Sequence, residues 1–120
     1  MQTTIYFIRH GEVHNPENKT YGRWRDIPLN KKGFEQMKML GKKLLTLKEK
    51  PAAIYHSPLL RTKQSAETLA KIFLVNPDHL IKDERLLETE TQGFENLPVK
   101  AFYDLGDYYL PRDGFTIETP

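Results

Sequence analysis

Arg9, His10, Gly11 and Glu12 follow directly on a short apolar run, Ile5-Tyr6-Phe7-Ile8. A histidine held at a strand end, with an arginine beside it, suits attack on a phosphoryl group. Neutral imidazole is a good nucleophile near neutral pH, where an ordinary pKa of about 6.5 makes that form available. An arginine fork supplies paired donors to the equatorial oxygens, and a glycine leaves room for close approach. By itself the pair reads more readily as a surface histidine next to a solvated arginine. A second group, Ser57-Pro58-Leu59-Leu60-Arg61, sets Arg61 in the first turn of an expected helix. A cation is disfavoured there by the helix dipole and makes more sense near an anion. Taken alone, though, Arg61 reads as directed to solvent.

The elements that must carry these groups are visible as pattern. Ile5 to Ile8 reads as a buried strand. The polar stretch from His10 to Asn30, punctuated by Gly, Pro and Asn, reads as a long loop, and loops of that length are usually functional. Asn30 is a good N-cap for a helix with Phe34, Met37, Leu40, Leu44 and Leu47 at three- and four-residue spacing, ending near Lys50-Pro51. Ala52 to Tyr55 reads as a second strand. Ser57 reads as an N-cap, with Pro58 opening a helix that turns Leu60, Ala66, Leu69 and Phe73 inward and stops before Asn76-Pro77. Leu80-Ile81-Lys82 is a third strand, residues 83–98 form a loop, and a short helix covers Val99 to Leu105. Alternating strands and helices imply an α/β fold with parallel strands and right-handed crossovers. Ligands in such sheets bind outside the carboxyl ends of the strands, where the loops after His10, His56 and Arg85 lie.

With those blocks in order, the sequence resembles the histidine phosphatase superfamily, whose best-known branch is the cofactor-dependent phosphoglycerate mutases. Three blocks carry the resemblance. The first is Arg9-His10-Gly11-Glu12 with Asp26-Ile27-Pro28-Leu29-Asn30, Gly33 and Gln36. The second is Tyr55-His56-Ser57-Pro58-Leu59-Leu60-Arg61 with Gln64-Ser65-Ala66-Glu67. The third is Leu87-Glu88 with Gly93 and Glu95. The resemblance implies a three-layer, parallel-sheet fold of the phosphoglycerate mutase type. It implies that His10 takes the phosphoryl group, that Arg9 and Arg61 bind its oxygens, and that Glu88 protonates the leaving oxygen and then serves as base. Asn15 matches a phosphate-binding Asn of the family, one residue closer to the histidine than usual. Arg23 and Trp24, in the loop from Asn18 to Arg25, are expected to contact substrate, against a plainer reading as exposed or locally packed side chains. No metal and no organic cofactor are implied, because arginines provide the electrostatic stabilisation.

One departure matters. Family members carry a second histidine in a later block, and none of His14, His56 and His79 has its context. The family domain also runs well beyond 120 residues, so the fold is expected to be incomplete at its C-terminal end. The expected consequence is an uncovered sheet edge and apolar face, and self-association or a homodimer through them. Function is then expected to be phosphoryl transfer through a phosphohistidine, as hydrolysis of a small phosphomonoester. The alternatives are mutase-type transfer within one metabolite and a non-catalytic module that only binds phosphate.

Composition bounds the remaining classes. The 120 residues suit a single domain, and 38% hydrophobic with 11% aromatic residues argues for a real core. With no cysteine there is no disulfide, thiolate metal site or cysteine nucleophile. No apolar run can span a bilayer and the start has no signal-peptide pattern, so a soluble, cytoplasmic protein without membrane partners is expected. The first 60 residues hold 11 basic against 5 acidic residues, the last 60 hold 7 against 11. The basic half suits an anionic ligand. Lys31, Lys32, Lys38, Lys42, Lys43, Lys48 and Lys50 fall mostly on the outward face of a helix and have no recognition motif, so nucleic acid is not expected as a partner.

Overall fold

The computed structural model describes residues 2–19, 21, 24–48 and 50–87. Two helices and a small parallel sheet make up its regular structure. Helix α1 spans Lys31–Thr46, strand β1 Tyr55–His56, helix α2 Leu60–Phe73 and strand β2 Ile81–Lys82. Tyr55 pairs with Ile81 and His56 with Lys82. β1, α2 and β2 therefore form a parallel βαβ unit, the α/β arrangement expected from the pattern. Short 3-10 turns at Pro77–His79 and Glu84–Leu86 flank β2.

α1 begins where its cap chemistry demands. The Asn30 side-chain oxygen accepts the Gly33 N–H at 2.7 Å, satisfying one of the donors that the first helical turn leaves open. Gly33, Met37 and Gly41 are buried on its inner face. The helix stops at Thr46, short of the Lys50-Pro51 boundary its periodicity suggests, and Leu47 is exposed. The Leu47 N–H is shared between the carbonyls of Lys43 and Leu44, and Lys48 turns left-handed with φ 58°. That tightening ends the helix before the apolar spacing does. Gly41 lets the helices approach, since a Cβ there would lie 3.0 Å from the Ile72 side chain on α2.

α2 also departs from its local signal. Ser57 and Pro58 do not open it; Leu59 is the cap residue and has no side-chain cap bond. The Leu60 N–H instead donates to the Arg25 carbonyl at 2.8 Å, while the Ser57 hydroxyl pairs with Thr62 at 2.6 Å. A backbone acceptor from a distant loop takes the capping role. Leu69, Ala70 and Phe73 line the inner face.

The largest difference concerns Ile5 to Ile8. This run enters no sheet, and its side chains are exposed, Phe7 to 89% and Ile5 to 69%. Strand propensity is a preference for a half-buried pleated surface, realised only beside a partner. Among the described residues the only ladder is β1–β2, and the run takes no part in it. The second strand likewise falls at Tyr55–His56 rather than Ala52 to Tyr55. The helix expected over Val99 to Leu105 lies outside the described residues. No helix among the described residues is long and apolar enough to cross a membrane.

Candidate active site

The loop between His10 and Asn30 is folded back and closed at its base. The Asn30 N–H donates to the Glu12 carbonyl at 3.0 Å and the His14 N–H to the Pro28 carbonyl at 2.8 Å, around an antiparallel bridge between Val13 and Leu29. The Asn30 amide donates further to the Glu12 carboxylate and the Val13 carbonyl. Asn30, followed by Lys32, holds the Glu12 carboxyl below its usual range. Val13, Leu29 and Met37 form a buried cluster against which Tyr21, Ile27 and Phe34 pack. The loop thus brings its own core.

Both helices grip its first residues. Gly11 and Gly33 meet backbone to backbone, so a Cβ on either would collide with the other segment. Close approach is the reason for glycine here, and what approaches is the start of α1. From the other side, the Ser65 hydroxyl of α2 accepts the Gly11 N–H at 3.1 Å and donates to the Arg61 carbonyl at 2.8 Å. Gln36 accepts the Glu12 N–H at 2.9 Å, and Gln64 accepts the Leu29 N–H at 2.8 Å.

His10 is half-buried, and its Nδ1 lies 2.7 Å from the Gly11 carbonyl oxygen. A carbonyl can only accept, so Nδ1 carries the proton and the lone pair of the neutral ring resides on Nε2. Arg61 exposes none of its surface. Its Nη1 donates to the Trp24 carbonyl at 2.7 Å, and its Cζ stands 4.6 Å from the centroid of the Tyr21 ring. Tyr21 in turn meets the His10 ring edge-on, with centroids 6.4 Å apart and planes at 61°. His10 and Arg61, 51 positions apart in sequence, are joined through one aromatic side chain. A buried guanidinium acts on its surroundings through a low local dielectric.

The other sequence-derived residues are placed as follows. Arg9 is exposed beside His10. Both ends of the Asn15 amide engage the Lys19 backbone, at 2.7 Å and 3.0 Å, closing the tip of the loop. Trp24 is half-exposed and borders a cleft of about 290 Å³ whose walls include Asn15, Lys19, Tyr21 and Ile27. Neither His10 nor Arg61 lines that cleft, which adjoins them through Tyr21. Arg23 and Glu88 lie outside the described residues. Among the described residues no group of three or more His, Cys, Asp or Glu side chains could hold a metal ion. Two positions escaped the sequence reading. Tyr21 gave no signal, being an aromatic in an aperiodic loop; Ser65 stood inside a recognised block but without a role.

Known proteins share this arrangement of chain. The pattern of the histidine phosphatase superfamily (branch 1) matches residues 5–110. Fructose-2,6-bisphosphatase TIGAR of Xenopus tropicalis is 30% identical over 123 residues, covering 95% of this chain and 44% of the relative. The 2,3-bisphosphoglycerate-dependent phosphoglycerate mutase 2 of Lactobacillus johnsonii is 35% identical over 69 residues, covering 57% of this chain and 30% of the relative. Among solved structures, Bacillus stearothermophilus YhfR superposes with a TM-score of 0.64 at 33% identity, over 81% of this chain and 46% of that one. The chain therefore spans less than half the length of each of these relatives, and its fold matches the corresponding part of YhfR.

Proposed function

We propose that this chain, which belongs to the histidine phosphatase superfamily, carries the nucleophilic half of a phosphoryl-transfer site that hydrolyses a small phosphomonoester. Nε2 of His10 attacks phosphorus, forming the N–P bond as the bond to the leaving oxygen breaks. Arg9 and Arg61 offset the charge on the equatorial oxygens. Glu88 supplies the proton to the leaving oxygen, then takes one from the water that attacks phosphorus and breaks the N–P bond. The observation that carries the reading is the 2.7 Å hydrogen bond from His10 to the Gly11 carbonyl, which leaves the nucleophilic lone pair on Nε2. Hydrolysis is favoured over mutase transfer because a relative named as a bisphosphatase aligns with nearly the whole chain. Trp24 and Arg23 are assigned to the leaving group, and Asn15 to the phosphate side of the loop.

The test is transfer of labelled phosphate from a small aryl phosphomonoester to the protein. An acid-labile, alkali-stable label that appears in the wild-type chain and is absent from His10→Asn is expected. Label that persists in His10→Asn, or sits on another residue, refutes the assignment. A second reading is a module that binds phosphate without turnover, with Arg9 and Arg61 kept as its anion contacts. Retained orthovanadate affinity with no label on His10 would select it.

A further inference from the structure

We infer that Tyr21 is a positioning residue that holds the Arg61 guanidinium and the His10 ring in fixed relation, a role that rests on the phosphoryl-transfer reading above. The Arg61 guanidinium is held in its plane by hydrogen bonding, with Nη1 donating to the Trp24 carbonyl. The face of the Tyr21 ring, 4.6 Å from Cζ, packs on the guanidinium out of that plane and attracts the cation through the ring's quadrupole. The same ring stands at 61° to the imidazole, 6.4 Å away centroid to centroid. Standing edge-on beside His10, it limits the swing of that ring. Tyr21 does not drift, because it is seated against the Val13, Leu29 and Met37 cluster. Position is thus passed from the loop's core to one aromatic ring, and from that ring to the nucleophile and the buried cation. Tyr21 has no part in bond making; its hold on Arg61 is electrostatic, so the effect scales with the electron density of the ring face.

The scaling makes the role separable from packing. In the full chain, position 21 is replaced by phenylalanine and by mono-, di- and trifluorinated phenylalanines of nearly equal shape, and orthovanadate affinity is measured for each. Tyr21→Phe is expected to bind within about twofold of wild type, and successive fluorines to weaken binding stepwise to a total on the order of tenfold. The unfolding midpoint stays constant across the series. A flat series means the ring only fills space and overturns the proposal. A rising series means the ring is a cover that the anion must displace, and overturns it too. Arg61→Lys is the companion variant. If it binds orthovanadate as tightly as wild type, or if wild type binds none, the phosphoryl-transfer reading falls and the positioning role with it. Ring-current shifts of the Arg61 and His10 side-chain resonances are expected to collapse in Tyr21→Leu; unchanged shifts would refute the contacts themselves.

Discussion

Ser65→Ala tests whether α2 holds the loop that begins at His10 in place. The hydroxyl is buried and serves two partners: it accepts the Gly11 N–H at 3.1 Å and donates to the Arg61 carbonyl at 2.8 Å. The Arg61 carbonyl lies inside the helix and loses little. The buried Gly11 N–H loses its acceptor, and leaving such a donor unsatisfied costs about 1–3 kcal/mol. A destabilisation of about 2 kcal/mol is therefore expected, which for a domain of this size is a fall of about 1 M in the urea midpoint. Amide exchange at Gly11 should accelerate with it, while exchange in the middle of α1 follows only the global change. Because the Gly11 carbonyl orients the His10 ring, phosphorylation of His10 should slow more than phosphate affinity drops. A midpoint shift under about 0.3 M with Gly11 protection intact would refute the argument.

Three further outcomes follow from the same structure. Gly33→Ala puts a Cβ into the Glu12 backbone, which cannot rotate aside, and should cost about 3 kcal/mol; Gly41→Ala meets only the Ile72 side chain and should cost under about 1 kcal/mol, read as paired thermal melts. The Asp83 carboxyl, held down to about 2 from 3.8 by hydrogen bonds from the Arg85 guanidinium and backbone N–H, is depressed in the folded state. Its contribution is complete above about pH 4 and lost as pH falls from there toward 2, so the urea midpoint of wild type should drop more steeply over that window than that of Asp83→Asn. Four consecutive exposed apolar side chains at Ile5 to Ile8 should make the 120-residue chain self-associate, and Phe7→Lys should shift sedimentation toward monomer; a wild-type monomer at working concentration would count against this.

How much of this was legible in the residues depended on the range of the forces involved. The start of α1 was, because Asn30 and the apolar spacing are local and agree. The start of α2 was misread because Ser57 and Pro58 carry a strong local signal, while the acceptor that serves the Leu60 N–H is the carbonyl of Arg25, 35 positions away in sequence. No side-chain chemistry announces a backbone carbonyl. Arg61 was flagged by a dipole argument and by the family resemblance, and its complete burial could not be read from either. Tyr21 was invisible for a similar reason: a loop aromatic has no period to betray its partners. The Ile5 to Ile8 run failed in the opposite direction, since its composition is strand-like whether or not a neighbour exists to pair with it.

The failure of that run to enter a sheet sharpens what positions His10. In an ordinary parallel sheet the strand itself would fix the residue at its end. Here the four residues before Arg9 are exposed and unladdered, yet Gly11 is buried and held from two sides. The Gly33 backbone on α1 sets how closely the loop can sit, and the Ser65 hydroxyl on α2 sets its depth. The Gln36 and Gln64 side chains, one from each helix, pin the loop at Glu12 and Leu29. Each of these contacts is C-terminal to His10 in the chain and none needs the strand. The position of His10 is therefore set by the helix pair, and changes confined to Ile5 or Phe7 should alter association while leaving the His10 ring's bond to the Gly11 carbonyl in place.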